Sequence, residues 1–370
     1  MASTARPGFP IVQVDGPPRR RGEQYGALAR MRIRHAIDGY AATFAHYAGW
    51  DWDTVRRRAD RFAPIIGDFS PASLAEIHGI ADGAGVEPAD VLALNTRSEI
   101  MFAARDGSPR PLPAGECTSF AVLPEAAATG GLVMGQNWDW LGHARRTAVL
   151  LRVRRDDGPG FVTLVEAGLL AKVGMNEDGV GLCTNTLIGD GDEGRLGVPY
   201  HLLLRSVLDS SSGAEAAARV AGADRAGSAN YLIGDTTGFV RDLETTPTRG
   251  AARVGEIAPT GGVLAHANHF LSPGLTGQDV YLRGKPHSLV RQRNITGGLA
   301  ALGRPDVPGL QATLADHRDA PDSVCQHPRE STHPIERTET IAGVVMEVDR
   351  GVMHLAAGPP CTAPWHTLKP

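Results

Sequence analysis

The chain has 370 residues, 42% hydrophobic and 21% charged, enough apolar material to bury the core of one large domain or two ordinary ones. Its 37 basic and 41 acidic residues leave a net charge of −4 without a basic block or basic-aromatic stripe, which excludes the usual electrostatic footprint of a nucleic-acid partner. No run approaches the roughly 20 apolar residues of a membrane span, and four scattered cysteines with no CxxC pair exclude a disulfide scaffold and point to a reducing, cytoplasmic setting.

The amino terminus has an early arginine but no apolar stretch behind it, which reads against a secretory leader. The first hundred residues read as helical. Tyr25, Leu28, Met31, Ile33, Ile37, Tyr40 and Phe44 recur near a 3.6-residue period. Residues 51–66 and 71–84 continue in this style, with Ser70 and Pro71 placed as N-cap and first helical residue. Glu87-Pro-Ala-Asp opens a fourth helix. The stretch from Asp106 to Gly115, rich in Pro and Gly, is expected to be a rigid, polar, exposed loop.

Beyond it the pattern turns strand-like. Strands are expected over 117–123, 131–137, 147–153, 161–166, 171–175 and 180–185, separated by Gly, Asp and Pro turns. Helices return over 199–208 and 281–302, and further strands over 229–234, 239–244, 341–348 and 352–356. No fixed-period repeat is present. Strands in clusters and helices in clusters imply an α+β class, with sheets covered by helices.

The informative peptide is Gly115-Glu-Cys-Thr-Ser-Phe, where the strand cluster begins. The Cys117 thiol is placed to attack the Glu116 carbonyl and shift the acyl group from nitrogen to sulfur. Water would then release a new amino terminus. An α-amine has a reference pKa of about 7.7–8.0, close to that of a thiol at ~8.5, so one residue would supply both nucleophile and base. A buried cysteine by itself is more often an inert packing residue. Gly135-Gln-Asn-Trp-Asp supplies the context, because an antiparallel hairpin would bring Asp139 beside Cys117 to orient its amine.

Four segments fall in order: Cys117-Thr-Ser; Gly135-Gln-Asn-Trp-Asp; the stretch from Ala171-Lys-Val-Gly to Leu-Cys-Thr-Asn185; and His266-Ala-Asn-His-Phe. Together with Arg20-Arg-Gly-Glu-Gln-Tyr-Gly and Ala356-Ala-Gly-Pro-Pro-Cys, they resemble the acyl-coenzyme A:6-aminopenicillanic-acid acyltransferase (isopenicillin-N acyltransferase) family. That family is similar to the penicillin V acylases and bile salt hydrolases of the N-terminal-nucleophile superfamily. The resemblance implies a four-layer αββα sandwich, self-cleavage after Glu116 into a helical pro-segment (1–116) and a catalytic core (117–370), and an acyl-Cys117 intermediate. It also implies a heterodimer with the cleaved pro-segment. Cys117 then looks like the nucleophile, Asp139 the acid holding its amine, and Asn268 the side-chain donor of the oxyanion hole. Asn185 resembles the position whose backbone N–H gives the second donor. Gln136 stands where the related acylases carry arginine, which counts against bile salts, and Glu116 stands where the fungal acyltransferase has glycine.

The implied substrate is a small amide, amine or thioester, with acyl-coenzyme A as one donor and no other cofactor; no nucleic-acid or membrane partner is expected. Two alternatives are a non-enzymatic binding protein on the same fold and a metal-dependent hydrolase. The metal reading would draw on His266, His269, Cys325 and His327. Residues three apart on a strand diverge, however, and Cys-x-His is shorter than finger spacing, so no metal site is assigned. Arg291 and Arg293 fall roughly where related acylases place an active-site arginine, yet in Ser288-Leu-Val-Arg-Gln-Arg they read more simply as a solvated helix face. Cys183, Cys325 and Cys361 read as packing residues, and Trp138 and Trp140 as pocket lining or core.

Overall fold

The computed structural model describes residues 8–105, 116–248, 253–330 and 332–369; the loop expected over 106–115 lies outside them. In chain order the strands are β1 (Ile11–Val14), β2 (Thr118–Val122), β3 (Val133–Leu141), β4 (Ala148–Val153), β5 (Phe161–Glu166), β6 (Val173–Asn176) and β7 (Val180–Thr186). They continue with β8 (Ala229–Asp235), β9 (Val240–Thr245), β10 (Val254–Ile257), β11 (Val263–His266), β12 (Thr338–Glu347), β13 (Val352–Ala356) and β14 (Trp365–Leu368). The helices are α1 (Pro18–Ala48), α2 (Trp52–Asp60), α3 (Ala63–Phe69), α4 (Pro71–Ala84), α5 (Pro88–Asn95), α6 (Arg97–Phe102), α7 (Ala144–Thr147), α8 (Tyr200–Leu208), α9 (Gly213–Gly222), α10 (Tyr281–Gly284), α11 (His287–Ala301) and α12 (Val307–Leu314).

The strands form two sheets, one of eight in the order β1-β4-β5-β6-β7-β8-β9-β10 and one of six in the order β11-β2-β3-β12-β13-β14. The chain is thus α+β, with a mainly helical N-terminal region. That region is not wholly helical: β1 pairs in parallel with β4, from Ile11↔Leu150 to Val14↔Val153. Three apolar cores order the packing. In the first, Tyr25, Ile33 and Phe44 of α1 meet Val149, Val165 and Tyr231 of the eight-stranded sheet. In the second, Leu150, Leu164 and Leu232 of that sheet meet Ala121, Met134 and Val344 of the other. In the third, Phe120, Val133 and Val345 meet Ile295 of α11 and Leu310 of α12.

The expected periodicity of α1 holds for Tyr25, Ile33, Tyr40 and Phe44, which are buried, but Leu28 and Met31 are 64% and 60% exposed. Small residues displace them from the inward stripe, because Ala29 and Ala36 let the helix lie close to its neighbours. Closest of all is the crossing with α4. A Cβ on Gly22 or Gly26 would lie 2.2 Å from the carbonyl oxygen of Glu76 or Ile80, and one on Gly79 or Gly83 would lie 2.2 or 2.1 Å from that of Arg19 or Glu23. Only glycine permits that approach.

The expected helix over 281–302 is broken into α10 and α11 around Lys285-Pro286. Proline lacks an N–H and disfavours the helical conformation of the residue before it. Buried Gln136 ties the two sheets together across the central core: its Nε2 donates to the Thr184 carbonyl at 2.8 Å and its Oε1 accepts from the Thr184 N–H at 2.9 Å.

Candidate active site

Cys117 lies one residue before β2, buried at 2% exposure. The antiparallel β2–β3 hairpin pairs Thr118 with Asn137. The Cys117 Sγ therefore sits 3.7 Å from the Asp139 carbonyl, which also accepts the Glu116 N–H at 3.4 Å. Asp139 is fully buried, and neither of its carboxyl oxygens has a hydrogen-bond partner among the described residues. Burial pushes its pKa up to about 8; Arg291 and the Thr340 hydroxyl, which lies near the carboxyl without forming a well-aligned hydrogen bond to it, lower it only in part. Thr340 faces it from β12, where a register shift between Thr340 and Ala342 bulges the strand. Bulges re-aim side chains in this way beside functional sites.

Burial also raises the pKa of the Cys117 thiol, while Lys172 opposes the shift. The thiol is thus held in its less nucleophilic protonated form and needs a proton acceptor. Lys172 is buried with its Nζ 5.2 Å from the Trp138 ring centre, and burial lowers its own pKa. Sequence reading gave Lys172 no role. Its motif placed it on the chain, but the charge interaction with Cys117 arises only when the two sheets pack against each other across the second core.

Arg291 corrects the reading of a solvated helix face. It is fully buried on the inner side of α11, and its NH1 donates to the carbonyl oxygens of Glu116 (2.5 Å) and Cys117 (2.7 Å) and to the Thr118 hydroxyl (3.1 Å). Its NH2 donates to Asn268 Oδ1 at 3.0 Å. Arg293, two residues on, stays on the surface and pairs with Asp319 at 2.5 Å. One guanidinium thus grips the carbonyls on both sides of the Glu116–Cys117 bond.

Asn268 is buried beyond the end of β11. Its Nδ2 donates to the Thr186 carbonyl at 2.9 Å, and Ser288 Oγ receives its backbone N–H at 2.8 Å. Asn185 joins the centre through its side chain. Its Nδ2 donates to the Cys117 carbonyl at 2.9 Å and to that of His266 at 3.2 Å, and its Oδ1 accepts from Ser119 at 2.5 Å. The structure thus gathers Glu116, Cys117, Asp139, Asn185 and Asn268 around Arg291.

The Glu116 side chain is anchored as well. Lys285 donates to it at 2.7 Å and Thr338 at 3.2 Å, and His287 lies 3.5 Å away. Burial works against its charge, yet Lys285, His287 and Arg291 outweigh burial and hold its pKa down at about 2. The residue before the junction is therefore gripped by a cationic recess.

Beside this centre a pocket is lined by Tyr40, Arg97, Met101, Phe102, Trp140 and Thr186. Its polar wall is fixed: Arg97 pairs with Glu166 at 2.8 Å, Tyr40 donates to Glu166 at 2.9 Å, and Trp140 Nε1 donates to the Tyr40 hydroxyl at 2.8 Å. A roomier cleft among α3, α4, α8 and α9 includes none of the residues around Cys117. Of the histidines weighed as metal ligands, His266 is committed to Glu244 at 2.8 Å and His269 to Ser288 at 2.8 Å.

Three comparisons bear on this arrangement. A sequence model of the family described as acyl-coenzyme A:6-aminopenicillanic acid acyl-transferase matches residues 127–361. The acyl-coenzyme A:6-aminopenicillanic-acid-acyltransferase 40 kDa form of Emericella nidulans is 28% identical over 280 residues, covering 73% of this chain and 72% of that protein. Protein dcd1A of Dictyostelium discoideum is 26% identical over 246 residues, covering 58% and 53% respectively. Among solved structures, the Caenorhabditis elegans ortholog of N-acylethanolamine-hydrolyzing acid amidase aligns with a TM-score of 0.45 at 14% identity, covering 63% of this chain and 93% of that one. Penicillin V acylase from Agrobacterium tumefaciens aligns with a TM-score of 0.41 at 13% identity, covering 68% and 86%.

Proposed function

The chain belongs to the acyl-coenzyme A:6-aminopenicillanic acid acyl-transferase family, and from that premise we propose that it is a self-cleaving N-terminal-nucleophile enzyme with Cys117 as nucleophile. In this reading the two sheets and their flanking helices are the αββα sandwich of that superfamily. The observation that carries the proposal is the orphaned, buried carboxyl of Asp139 beside Cys117. A buried polar group without a partner costs about 1–3 kcal/mol. An α-ammonium freed at Cys117 would give that carboxyl its missing partner.

Maturation starts with attack of Sγ on the Glu116 carbonyl carbon. The C–N bond to Cys117 breaks, the thiol proton ends on the departing nitrogen, and a thioester joins Glu116 to Sγ. Water then cleaves the thioester, leaving a carboxylate on Glu116 and a free thiol and amine on Cys117. Arg291, already at the Glu116 carbonyl oxygen, supplies a donor where negative charge develops, the kind of preorganised contact worth about 2.7–4 kcal/mol when it is lost.

In turnover the α-amine takes the thiol proton as Sγ attacks an amide or thioester carbonyl. Asn268 and the recess around Arg291 steady the oxyanion, and the proton passes to the leaving amine or thiol. Water or an amine then resolves the acyl-Cys117 thioester. Acyl-coenzyme A, named for the fungal relative, is a candidate donor, and the cleaved N-terminal segment stays as the partner chain.

Intact mass and amino-terminal sequencing test the proposal. Wild type is expected as two chains, the second beginning Cys-Thr-Ser, and Cys117→Ala as one uncut, inactive chain. Turnover by a wild-type protein that remains a single polypeptide would overturn it.

A further inference from the structure

Far along the sequence from the reacting groups, Cys325 and His327, the pair set aside above for its short spacing, meet His317 and Cys361 at one point. The nitrogens of His317 and His327 and the sulfurs of Cys325 and Cys361 all lie within 4.8 Å of one another. His317 Nε2 is 3.1 Å from His327 Nε2, and Cys325 Sγ is 3.6 Å from Cys361 Sγ. His327 Nε2 is 3.8 Å from Cys325 Sγ and 3.3 Å from Cys361 Sγ. Around a tetrahedral zinc ion with ordinary bond lengths, the ligand atoms stand apart by about 3.8 Å (S–S), 3.6 Å (S–N) and 3.3 Å (N–N). These four separations match those edges to within a few tenths of an ångström, and the two from His317 to the sulfurs lie within 4.8 Å, a spread that a bound ion would draw in. We infer that His317, Cys325, His327 and Cys361 form a structural zinc site.

The ligand set itself points to zinc. Two thiolates and two imidazoles in a tetrahedral array suit zinc over harder ions such as magnesium or calcium. Four protein ligands close the coordination sphere and leave no position for a substrate, which marks a structural ion. Cys325 is buried at the floor, while His317, His327 and Cys361 are exposed at the rim, so an ion has a way in. Binding releases the two thiol protons and leaves both histidines neutral.

The fold gives such an ion work. Residues 315–337 join α12 to β12, and among the described residues they hold one short helical turn, at Pro334–Glu336; long connections of that kind are uncommon unless functional or tied down. His317, Cys325 and His327 belong to this connection, and Cys361 arrives from beyond β13. The end of α12 and the same connection back the reacting hairpin. Asn137 Nδ2 donates to the carbonyls of Leu314 (2.8 Å) and Val324 (3.0 Å). Gln326, between two of the ligands, exchanges hydrogen bonds with Thr340 at 2.8 and 3.1 Å.

The test uses the full chain, purified in reductant without chelator or metal-affinity resin, both as wild type and as uncut Cys117→Ala. Elemental analysis is expected to find about one zinc per chain in both, so the outcome does not depend on maturation or activity. Cys361→Ser and His317→Ala change exposed side chains that the fold can spare, and each should lower bound zinc about fivefold or more. Chelation should lower the melting temperature of the parent protein and leave Cys361→Ser unmoved. Cobalt(II) added to the stripped protein should give the visible bands of a tetrahedral thiolate complex. A metal-free parent that takes up neither zinc nor cobalt overturns the inference. So does a Cys325–Cys361 disulfide, found by alkylation and mass spectrometry, in freshly purified protein.

Discussion

Asp139 carries a carboxyl whose pKa, at about 8, stands far above the ordinary 3.8 because burial penalises its charge. A raised folded-state value means that its contribution to stability is complete below the unfolded pKa and is lost as the pH climbs through 8. In the uncut Cys117→Ala background, Asp139→Asn should therefore match its parent near pH 4 and exceed it at pH 9. The gain there should be about 1–3 kcal/mol, read from denaturant melts at the two pH values. Equal stability at both would remove the argument for an orphaned acid. Arg291 makes a kinetic prediction instead. Arg291→Met should slow appearance of the cut chains by about 10²–10³, followed by intact mass after induction, while Arg293→Ala should leave the rate alone. The two arginines look alike in sequence and differ only in which side of α11 faces the hairpin, a choice fixed by tertiary packing.

Whole strands and helices differ in how plainly the sequence announces them. The β2–β3 hairpin was legible because an apolar run with Gly turns brackets both strands, and the Cys117–Asp139 juxtaposition follows from pairing alone. The strands that went unrecognised, β1, β10, β11 and β14, are all four residues long and all lie at sheet edges. An edge strand pairs on one side only, so too little alternation accumulates for a period to emerge. Helices α7, α9 and α12 also went unread. Packing between elements decides the sign of a further prediction. Glycine to alanine inside a helix normally stabilises by up to about 1 kcal/mol, and Gly297→Ala, with open space around its site on α11, should do so. Gly79→Ala should instead destabilise by about 1–3 kcal/mol, because its methyl would strike the Arg19 carbonyl at the α1–α4 crossing. Chemical denaturation midpoints of the two variants, moving in opposite directions, check this.

Across the whole molecule the N-terminal segment is woven into the fold. β1 extends the eight-stranded sheet beside β4. Arg205 on α8 grips Glu76 on α4 at 2.9 Å, Arg97 pairs with Glu166, and Asn95 bonds the Gly168 carbonyl at 2.8 Å. A cut after Glu116 severs none of these contacts, so the two chains should elute together from a sizing column in native buffer and part only in denaturant. Separation in native buffer would show that the segment is a removable cover. The anchoring of Glu116 has a consequence for the first moments after such a cut. The liberated end would carry two carboxylates, one from the side chain and one from the broken bond, facing Lys285 and Arg291. The centre's first tenant would thus be a dianionic tail, and its eviction, eased by salt, would govern when an incoming substrate can enter.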